Sequence, residues 1–567
     1  MIKSKTLSTV CGQSVIVMNE RDNTPLKQVL LENRKIEGED FFTPKLSHLH
    51  DPYILPDMEK AVERILLAQE KKERIIIFGD YDVDGVSSTA LLYRFLGEIG
   101  CEVSYRLPHR VHDGYGLKKY HFDEISEKSV KLVITVDCGT RDIEPIKYAK
   151  TLGIDVIVTD HHAVPEIIPE DVIALINPKR KDSKYPFSGL AGAGVAFKLL
   201  HALAIRLSHH TELQGDTGVV ENILQSYIDL ASLGTVADCM PLIDENRVIT
   251  SLGLKQMKQS KTSALRKFIE GLDREVEGEA DIIGFQIGPR INAAGRMDSP
   301  LKALQWLLSS EQKVDDGLEE VESLNLKRQE IVKEFSEDAL LHVNDASPIL
   351  FYSHKKLEHG IIGLIAGKLT EAYHRPAIVL CEHDENLVAS CRSPDWCNLV
   401  ELLEDSKQYF LRYGGHRQAA GFTIEKGVFE SFQNHIQERF HERYGDIGSL
   451  PPKTLRVESE IFPDEITLDT LAMIEDFRPF GIGNPKPKFY LNSLTVTRVD
   501  TIGDSKKHLS LSFLELPGIK CLLWNYKSIL KNDIHPGEII SPIFGLSKNI
   551  WKEKSSLQLI IDTLIEN

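Results

Sequence analysis

The sequence is poor in closely spaced cysteines and in long apolar runs. Its 8 cysteines are scattered along 567 residues without a CxxC pair, so neither a zinc site nor a disulfide framework is predicted. No segment approaches the roughly 18 uninterrupted apolar residues of a membrane span, and the first residues lack the apolar stretch of a signal peptide. We therefore expect a cytoplasmic protein that does not enter a membrane.

Positive charge is also scarce, because 84 Asp and Glu residues outnumber 67 Lys and Arg residues and give a formal net charge of -17. This balance argues against a protein that coats nucleic acid by bulk electrostatics. A nuclease is still allowed, since metal-binding carboxylates add negative charge and a substrate groove needs only a local basic lining. At about 150 residues per domain, the length predicts about three or four domains.

The most informative stretch is an apolar run, residues 75–78, that is followed by a glycine and three alternating carboxylates. The run is typical of a buried strand, and the carboxylates are Asp80, Asp82 and Asp84. Alternation in an extended backbone sends all three to one side, where their charges repel unless a cation lies among them. A divalent ion bound by the carboxylate oxygens would neutralise this repulsion. The alternative is a helix cap with a solvated turn, because Asp and Gly are ordinary turn residues.

Acidic residues also end the next two predicted strands: Asp137 follows residues 132–136, and Asp160, His161 and His162 follow residues 156–159. Helical segments separate the apolar runs, which predicts βαβ units and a parallel sheet. Because the carboxyl ends of such strands meet at one edge of the sheet, we expect these side chains to converge with the first acidic group. Asp238 ends a mostly buried helix and needs a cap, an arginine or a metal as its partner.

Two small-residue segments are candidate phosphate contacts. Residues 189–198 form a glycine-rich turn into a helix, which suits either backbone contacts to a phosphate or close helix packing, and no Walker lysine follows. Residues 286–297 are interpreted as a loop that carries Arg290, Asn292 and Arg296, either as a phosphate clamp or as surface salt-bridge partners.

A long amphipathic helix is predicted over residues 314–342 as a connector between two lobes. The second lobe begins at residue 348 and includes a helix with His359 at its start. Residues 413–421 present His416 beside a flexible glycine pair, which fits close approach to a phosphate backbone. We therefore expect a second α/β unit with its own phosphate contacts.

The C-terminal part follows a Pro451-Pro452 linker, and its short predicted strands indicate a small β-barrel. Lysines and aromatic residues around these strands resemble a stacking platform for single-stranded nucleic acid, and a solvated surface over core aromatics is the alternative. The first 45 residues show no strong periodicity, and we interpret them as an N-terminal extension packed on the core.

Several motifs together make the sequence resemble a known family. In chain order they are Asp80-Tyr-Asp-Val-Asp-Gly85, Asp113-Gly-Tyr-Gly116, Val136-Asp-Cys-Gly139, Asp160-His-His162 and Gly234-Thr-Val-Ala-Asp238. This set resembles the DHH phosphoesterase superfamily. Residues 414–421 are similar to the glycine-rich motif of its DHHA1 domain, and residues 479–485 are similar to the entry of the OB-fold in its single-stranded-DNA-specific exonucleases. Two positions depart from the family pattern: Tyr413, where a third glycine is common, and His112.

The resemblance covers about residues 46 to 565 and implies an α/β fold. Two-lobed DHH and DHHA1 α/β domains would be joined by a long helix and followed by a C-terminal OB-fold β-barrel. The implied boundaries are 1–45 for the N-terminal extension, 46–312 for the DHH domain, 313–345 for the connector helix, 346–450 for the DHHA1 domain and 451–567 for the OB-fold domain.

The resemblance also assigns site residues and implies two metal ions, Mn2+ or Mg2+. One ion would be bound by Asp84, Asp137, His161 and Asp238. The second would be bound by Asp82 and the bridging Asp137, with Asp80 near it. Asp160 and His162 complete the implied catalytic set, with His162 as a supporting or substrate-facing group. Two such ions would activate a water and clamp the oxygens of an in-line displacement at phosphorus. The implied substrate-binding residues are Arg110, Arg290, Asn292, Arg296, His359, Ser390, Arg392 and His416.

The implied activity is that of a 5'-to-3' exonuclease that hydrolyses single-stranded DNA to 5'-mononucleotides in recombination and repair. Besides the DNA, a single-strand-binding protein and a RecQ-type helicase are implied partners. Two alternatives stay open: a DHH phosphodiesterase on short oligoribonucleotides or cyclic dinucleotides, and a non-catalytic single-strand-binding replication scaffold. The predicted barrel favours polymer substrates, and the complete set of ligand positions argues against a scaffold.

Overall fold

The computed structural model describes residues 4–21, 24–210, 217–272, 278–503, 506–530, 532–551 and 554–566. The chain divides into two compact units. The larger unit comprises Pro44–Ile447 and Pro479–Gly483, and the smaller unit comprises Met1–Thr43, Gly448–Arg478 and Asn484–Asn567.

Helices and strands alternate along most of the chain. The helices are α1 (Leu26–Arg34), α2 (Met58–Glu70), α3 (Val83–Glu98), α4 (Lys119–Ser126), α5 (Ile143–Thr151), α6 (Gly192–His210), α7 (Thr217–Ala237), α8 (Asp244–Gln256), α9 (Ser263–Glu270), α10 (Gly288–Met297), α11 (Pro300–Leu307), α12 (Val314–His342), α13 (His359–Tyr373), α14 (Leu399–Glu404), α15 (Phe429–Tyr444) and α16 (Leu468–Glu475). The strands are β1 (Lys5–Ser8), β2 (Ser14–Val17), β3 (Arg74–Phe78), β4 (Glu102–Arg106), β5 (Val130–Val136), β6 (Asp155–Thr159), β7 (Ala174–Ile176), β8 (Leu350–Ser353), β9 (Ala377–His383), β10 (Asn386–Arg392), β11 (Phe410–His416), β12 (Ala419–Glu425), β13 (Thr454–Val457), β14 (Phe489–Tyr490), β15 (Leu494–Ile502), β16 (His508–Phe513), β17 (Lys520–Leu523), β18 (Ile539–Trp551) and β19 (Lys554–Ile565). Within the described ranges, no helix is both long and apolar enough to cross a membrane.

The first part of the larger unit is built on a five-stranded parallel sheet in the order β4-β3-β5-β6-β7. Successive residues of β3 point to opposite faces, so Ile75 and Ile77 pack into one core with residues of α2, α3 and α6. Ile76 and Phe78 pack into the other core with residues of α4 and α5. Helices cover both faces, which explains the continuous apolar runs of these strands. The predicted parallel sheet is confirmed.

The later part of the larger unit carries a second five-stranded sheet in the order β11-β12-β10-β9-β8. The predicted connector helix is confirmed as α12, and α13 begins at His359 as expected. The prediction of a flexible glycine pair is wrong, because Gly414 and Gly415 lie inside β11 and pair with β12. A Cβ at Gly415 would lie 2.5 Å from the carbonyl oxygen of Ala419, so this close pairing requires glycine.

The prediction of a loop at residues 286–297 is also wrong. A π-helical turn, Ile283–Ile287, continues directly into α10, so Pro289 lies within a continuous helical segment, next to the turn where the regular α-helical hydrogen-bond pattern is already interrupted. The small residues of this segment serve close packing rather than loop formation. A Cβ at Gly295, for example, would lie 2.9 Å from the carbonyl oxygen of Tyr81.

The smaller unit combines both ends of the chain. β2 pairs in parallel with β13, so part of the predicted N-terminal extension forms a sheet with C-terminal residues. Arg34 supports this arrangement through an ion pair with Glu458 at 2.7 Å. In the second sheet, strand pairing runs β15-β16-β17-β19-β18 and returns to β15. The sequence did not predict β18, because Pro542 and Gly545 interrupt its apolar pattern.

Candidate functional site

The acidic strand ends converge at the carboxyl edge of the parallel sheet, as the strand order predicted. Ligand atoms of three residue sets lie within 4.8 Å of one another: Asp84, His161 and Asp238; Asp80, Asp82 and Asp137; and Asp137, His161 and His162. Asp137 belongs to two of these sets and therefore lies between them. We call the five aspartates of these sets the carboxylate cluster: Asp80, Asp82, Asp84, Asp137 and Asp238.

His161 lies among three carboxylates of this cluster. Its Nε2 atom is 3.2 Å from Asp137 Oδ1, 3.5 Å from Asp238 Oδ2 and 3.8 Å from Asp84 Oδ2. Burial, followed by the nearby His162, lowers the pKa of His161 to about 3. A neutral imidazole surrounded by carboxylate oxygens has the donor set that Mn2+ and Mg2+ sites use.

The second part of the cluster contains Asp80, whose role the sequence left open, and Asp82. Asp82 also caps α3, since its Oδ1 accepts a hydrogen bond from Gly85 N at 3.1 Å. Asp80 is buried, and within the described ranges its Oδ1 has no hydrogen-bond partner. A buried, unpartnered carboxylate oxygen is costly unless a ligand satisfies it. Asp80 is therefore placed as a candidate ligand together with Asp82 and Asp137.

The carboxylates of the cluster raise one another's pKa. Burial, then repulsion from Asp82, raises the pKa of Asp80 to about 8 and the pKa of Asp238 to about 7. Burial also raises the pKa of Asp84 and of Asp137 well above the usual value, with Asp238 and Asp84 as the respective next causes. Divalent cations remove this repulsion, so the residues present fit a metal centre.

The glycine-rich turn before α6 binds a carboxylate of the protein itself. Gly192 N and Ala193 N, at the start of α6, each donate a 2.7 Å hydrogen bond to Asp84. The sequence had left phosphate binding and helix packing open, and the structure fills this anion site with Asp84. A Cβ at Gly192 would lie 2.6 Å from Asp137 Cβ, and one at Gly234 would collide with Asp84 Oδ1. Both glycines therefore make room for the carboxylate cluster.

Asp160 supports the site without belonging to any of the three ligand sets. It accepts hydrogen bonds from Thr140 N, His161 N and His162 N, and His162 Nδ1 lies 2.8 Å from its Oδ1. Burial alone would raise its pKa, but the hydrogen bond and charge of His162 lower the pKa of Asp160 below its usual range. Asp160 is thus an acceptor that orients the two histidines.

Asn177 is a buried residue that also holds the His162 loop in place, and the sequence analysis missed it. Its Nδ2 donates to Thr140 Oγ1 at 3.1 Å and to the carbonyl oxygen of His162 at 3.0 Å. Asn177 directly follows β7, so the rule that polar residues gather at the carboxyl ends of parallel strands was sufficient to find it.

Three arginines form a positive group beside the carboxylates, and we call Arg110, Arg296 and Arg392 the arginine cluster. The Arg110 guanidinium lies 3.9 Å from the ring centroid of Tyr81, the residue between Asp80 and Asp82. Burial, then repulsion from Arg110 and Arg392, lowers the pKa of Arg296 to about 9. In the part of the chain that the structure describes, no carboxylate forms an ion pair with these three guanidinium groups.

Two further predicted contacts lie beside the arginine cluster. Ser390 Oγ accepts a 3.3 Å hydrogen bond from Arg392. His359 has a lowered pKa because of burial, followed by the charges of Arg412 and Arg110. A partly buried group of cations with a neighbouring hydroxyl suits a phosphate.

Arg290 is not in this group, and for Asn292 the role in substrate binding stays a prediction. Arg290 pairs with Glu322 and lies over the ring of Phe268 at 5.2 Å. It is six residues from Arg296 on a helix, which places the two arginines on different faces. Asn292 is partly buried, and within the described ranges its Oδ1 has no hydrogen-bond partner. The structure therefore brings Arg296 to the site and engages Arg290 elsewhere.

A cleft of about 530 Å³ opens between the metal-ligand loops and the β11–β12 hairpin. His416 faces His162 across it, with ring centroids 6.2 Å apart and planes inclined by 19°. The departures from the family pattern lie away from the ligand atoms. The Tyr413 hydroxyl donates to Glu404, and the His112 ring packs against His109 at 4.4 Å.

Family models match three parts of the chain. A DHH family N-terminal domain matches residues 74–235, a DHHA1 domain matches residues 346–442, and a RecJ OB domain matches residues 457–563. These matches, together with the two α/β sheets and the C-terminal strands, confirm the predicted fold class.

Individual relatives match this chain over nearly its whole length. The single-stranded-DNA-specific exonuclease RecJ of Bacillus subtilis is 32% identical over 550 residues, which covers 95% of this chain and 67% of that protein. The Escherichia coli protein of the same name is 31% identical over 538 residues, which covers 90% of this chain and 90% of that protein. The Haemophilus influenzae protein is 30% identical over 573 residues, with coverage of 97% and 98%.

Solved structures agree with the sequence relatives. RecJ from Thermus thermophilus in complex with Mn2+ superposes with a TM-score of 0.81 at 26% identity, covering 95% of this chain and 76% of that one. A structure of exonuclease RecJ bound to manganese has a TM-score of 0.61 at 30% identity, with coverage of 71% and 97%. The chain belongs to the RecJ family of the DHH phosphoesterases.

Proposed function

We propose that this protein is a metal-dependent 5'-to-3' exonuclease that hydrolyses single-stranded DNA to 5'-mononucleotides in recombination and repair. The observation that carries the proposal is the carboxylate cluster with Asp137 shared between two ligand sets. Its relatives are named single-stranded-DNA-specific exonucleases. The match to a RecJ OB domain supports a polymer substrate over short oligoribonucleotides or cyclic dinucleotides. A full set of ligand side chains supports an enzyme over a binding scaffold.

The metal ions are proposed to be two Mn2+ or Mg2+ ions. Thermus thermophilus RecJ has been solved in complex with each of these ions. Asp84, His161, Asp238 and Asp137 would hold one ion, and Asp80, Asp82 and Asp137 the other. Bound ions of this kind supply a water of lowered pKa and neutralise charge at the reacting phosphate. The backbone amides at Gly192 and Ala193 keep Asp84 in place for this task.

The arginine cluster is proposed to hold phosphate groups of the DNA. Its guanidinium groups crowd one another, and an anion removes that repulsion in the same way as a cation does for the carboxylates. Arg110 and Tyr81 connect the two clusters, so a phosphate on the arginines lies next to the metal ligands. His416 and the glycine-lined strand β11 border the cleft where a nucleotide reaches both groups.

The resemblance adds proposals that the site itself does not address. We include a single-strand-binding protein and a RecQ-type helicase as protein partners, and we include a cytoplasmic location. The DNA-repair role of the family supports both additions.

The function is tested by digestion of 5'-labelled and 3'-labelled DNA and RNA, single-stranded and double-stranded, with Mn2+, Mg2+ or a chelator. We expect immediate release of labelled mononucleotide from the 5' label of single-stranded DNA, only when a divalent ion is present. Release from the 3' label first, or cleavage that continues in chelator, would contradict the proposal.

A further inference from the structure

Tyr115 is a residue of the cleft for which neither the motifs nor the ligand sets provide a role. It lies in the Asp113-Gly-Tyr-Gly116 motif and lines the cleft together with His162 and His416. Its ring centroid is 5.3 Å from that of His162, on which His416 stacks at 6.2 Å. Tyr115 is therefore next to a histidine whose orientation matters for the reaction.

The Tyr115 hydroxyl has two partners, and their chemistry fixes the direction of each hydrogen bond. The oxygen is 3.1 Å from the carbonyl oxygen of Asp137 and 3.0 Å from His162 Nδ1. A carbonyl oxygen only accepts, so the hydroxyl hydrogen goes to Asp137. The Tyr115 oxygen is then left to accept a hydrogen from His162 Nδ1.

The contact with Asp160 also indicates that His162 Nδ1 carries a hydrogen. Its Oδ1 lies 2.8 Å from His162 Nδ1 and already accepts hydrogen bonds from His161 N and His162 N. Two acceptors at Nδ1 require that this nitrogen carries a hydrogen, which excludes Nδ1 as a metal ligand. The Nε2 atom, on the opposite side of the ring, is left for the cleft.

The loop that carries Tyr115 is anchored at several points. Asp142 accepts a 2.8 Å hydrogen bond from Leu117 N, and Lys118 Nζ donates to the carbonyl oxygen of Tyr115 at 2.8 Å. Gly116 has a φ of +79°, and a Cβ there would lie 2.8 Å from the Asp142 carboxylate. A side chain at this position would displace the anchor, so the glycine helps to hold the tyrosine in place.

We propose that Tyr115 is a positioning residue that acts through His162. Its hydroxyl ties the His162 imidazole to the main chain of Asp137, the shared ligand of the carboxylate cluster. This contact keeps the ring in the orientation that points Nε2 into the cleft, toward the phosphate that is to be cut. The proposal rests on the exonuclease function proposed above and adds a residue to its machinery.

The test compares Tyr115→Phe with Tyr120→Phe in the full chain with Mn2+. Tyr115→Phe removes only the hydroxyl and leaves the ring against His162. Tyr120 lies on the neighbouring helix α4, and its hydroxyl contacts Asp113 at 2.8 Å instead of His162, so it is a matched control. We expect kcat of Tyr115→Phe on 5'-labelled single-stranded DNA to fall by at least about tenfold, the usual cost of losing such a supporting contact. KM of Tyr115→Phe should change by less than about twofold. The activity of Tyr120→Phe should also stay within about twofold of wild type.

A double-mutant cycle with His162→Asn separates action through His162 from a direct effect. If Tyr115 acts through His162, Tyr115→Phe causes no further loss in the His162→Asn background. Single-turnover assays with excess enzyme keep slow variants measurable. Equal losses in both backgrounds, an effect on KM alone, or unchanged kcat would overturn the role of Tyr115. An inactive wild-type chain would instead overturn the exonuclease function, so the two failures are distinguishable.

Discussion

The carboxylate cluster and the arginine cluster occupy the same compact unit, but the fold assembles them differently. The carboxylates come from the ends of β3 and β5, the first turn of α3 and the end of α7, and backbone amides hold Asp84 in place. The arginines come from the loop after β4, from α10 and from β10. Each cluster brings like charges together at buried or partly buried positions, so each needs a ligand of the opposite sign.

This difference assigns distinct tasks to the two clusters. Loss of a carboxylate should remove the metal centre and with it the chemical step, whereas loss of an arginine should weaken the hold on the DNA. A variant of the first kind changes kcat, and a variant of the second kind changes KM. The predictions below test this division, beginning with the largest expected effect.

Asp137→Asn should abolish the chemical step. Asp137 has a φ of +61°, a conformation that Asn tolerates, so the backbone is preserved while the shared charge is lost. We expect kcat to fall by at least about 1,000-fold, as for the removal of one member of a catalytic set that acts as a unit. Single-stranded DNA binding, measured in chelator by fluorescence anisotropy, should stay within about threefold of wild type. Retained hydrolysis would contradict the role of Asp137.

Arg392→Ala should weaken substrate binding more than catalysis. A charge-assisted hydrogen bond to a phosphate contributes about 1.5–3 kcal/mol, so we expect KM to rise by about 10- to 100-fold. Arg290→Ala is the matched control, because Arg290 already pairs with Glu322, and it should change KM by less than about threefold. A larger effect for Arg290→Ala than for Arg392→Ala would show that the arginine cluster has been assigned wrongly.

The metal-free protein should lose stability as the pH rises. The folded-state pKa is raised to about 8 for Asp80 and to about 7 for Asp238, so their neutral forms stabilise the fold at low pH. This contribution is lost as the pH rises through those values. The increase in Tm on adding Mn2+ should therefore be larger at pH 8.5 than at pH 6, by differential scanning fluorimetry. Asp82→Asn is the control, because it removes the charge that, after burial, raises both pKa values; an equal pH dependence of Tm in the metal-free variant would contradict the assignment.

The two clusters also differ in how far the sequence predicts them. Asp137 and Asp160 directly follow apolar strands, and Asp80 is separated from its strand by a single glycine, so topology alone places the three carboxylates at one edge. The arginines share no such pattern, because they lie on three separate elements. Sequence spacing even placed Arg290 beside Arg296, since the small residues around them were interpreted as a loop instead of a tightly packed helix.

Other features depend on tertiary packing that no local pattern records. The glycine-rich turn before α6 offered a phosphate site or a packing site, and its amides bind Asp84, which is over 100 residues earlier. The strand β18 contains Pro542 and Gly545, which are typical of turns, and pairing with the adjacent β19 and with the more distant β14 and β15 overrides that tendency. The N-terminal strands β1 and β2 pair with each other, and β2 also pairs with β13, which lies near the other end of the chain.

The central claim is that the carboxylate cluster is a two-ion metal centre. Crystals of the protein grown with Mn2+ and measured at the manganese absorption edge test it directly through anomalous difference maps. We expect two peaks inside the cluster with the Asp137 carboxylate between them, and the loss of at least one peak in Asp137→Asn. A map with no peak in the cluster, or with manganese bound only elsewhere, would contradict the account.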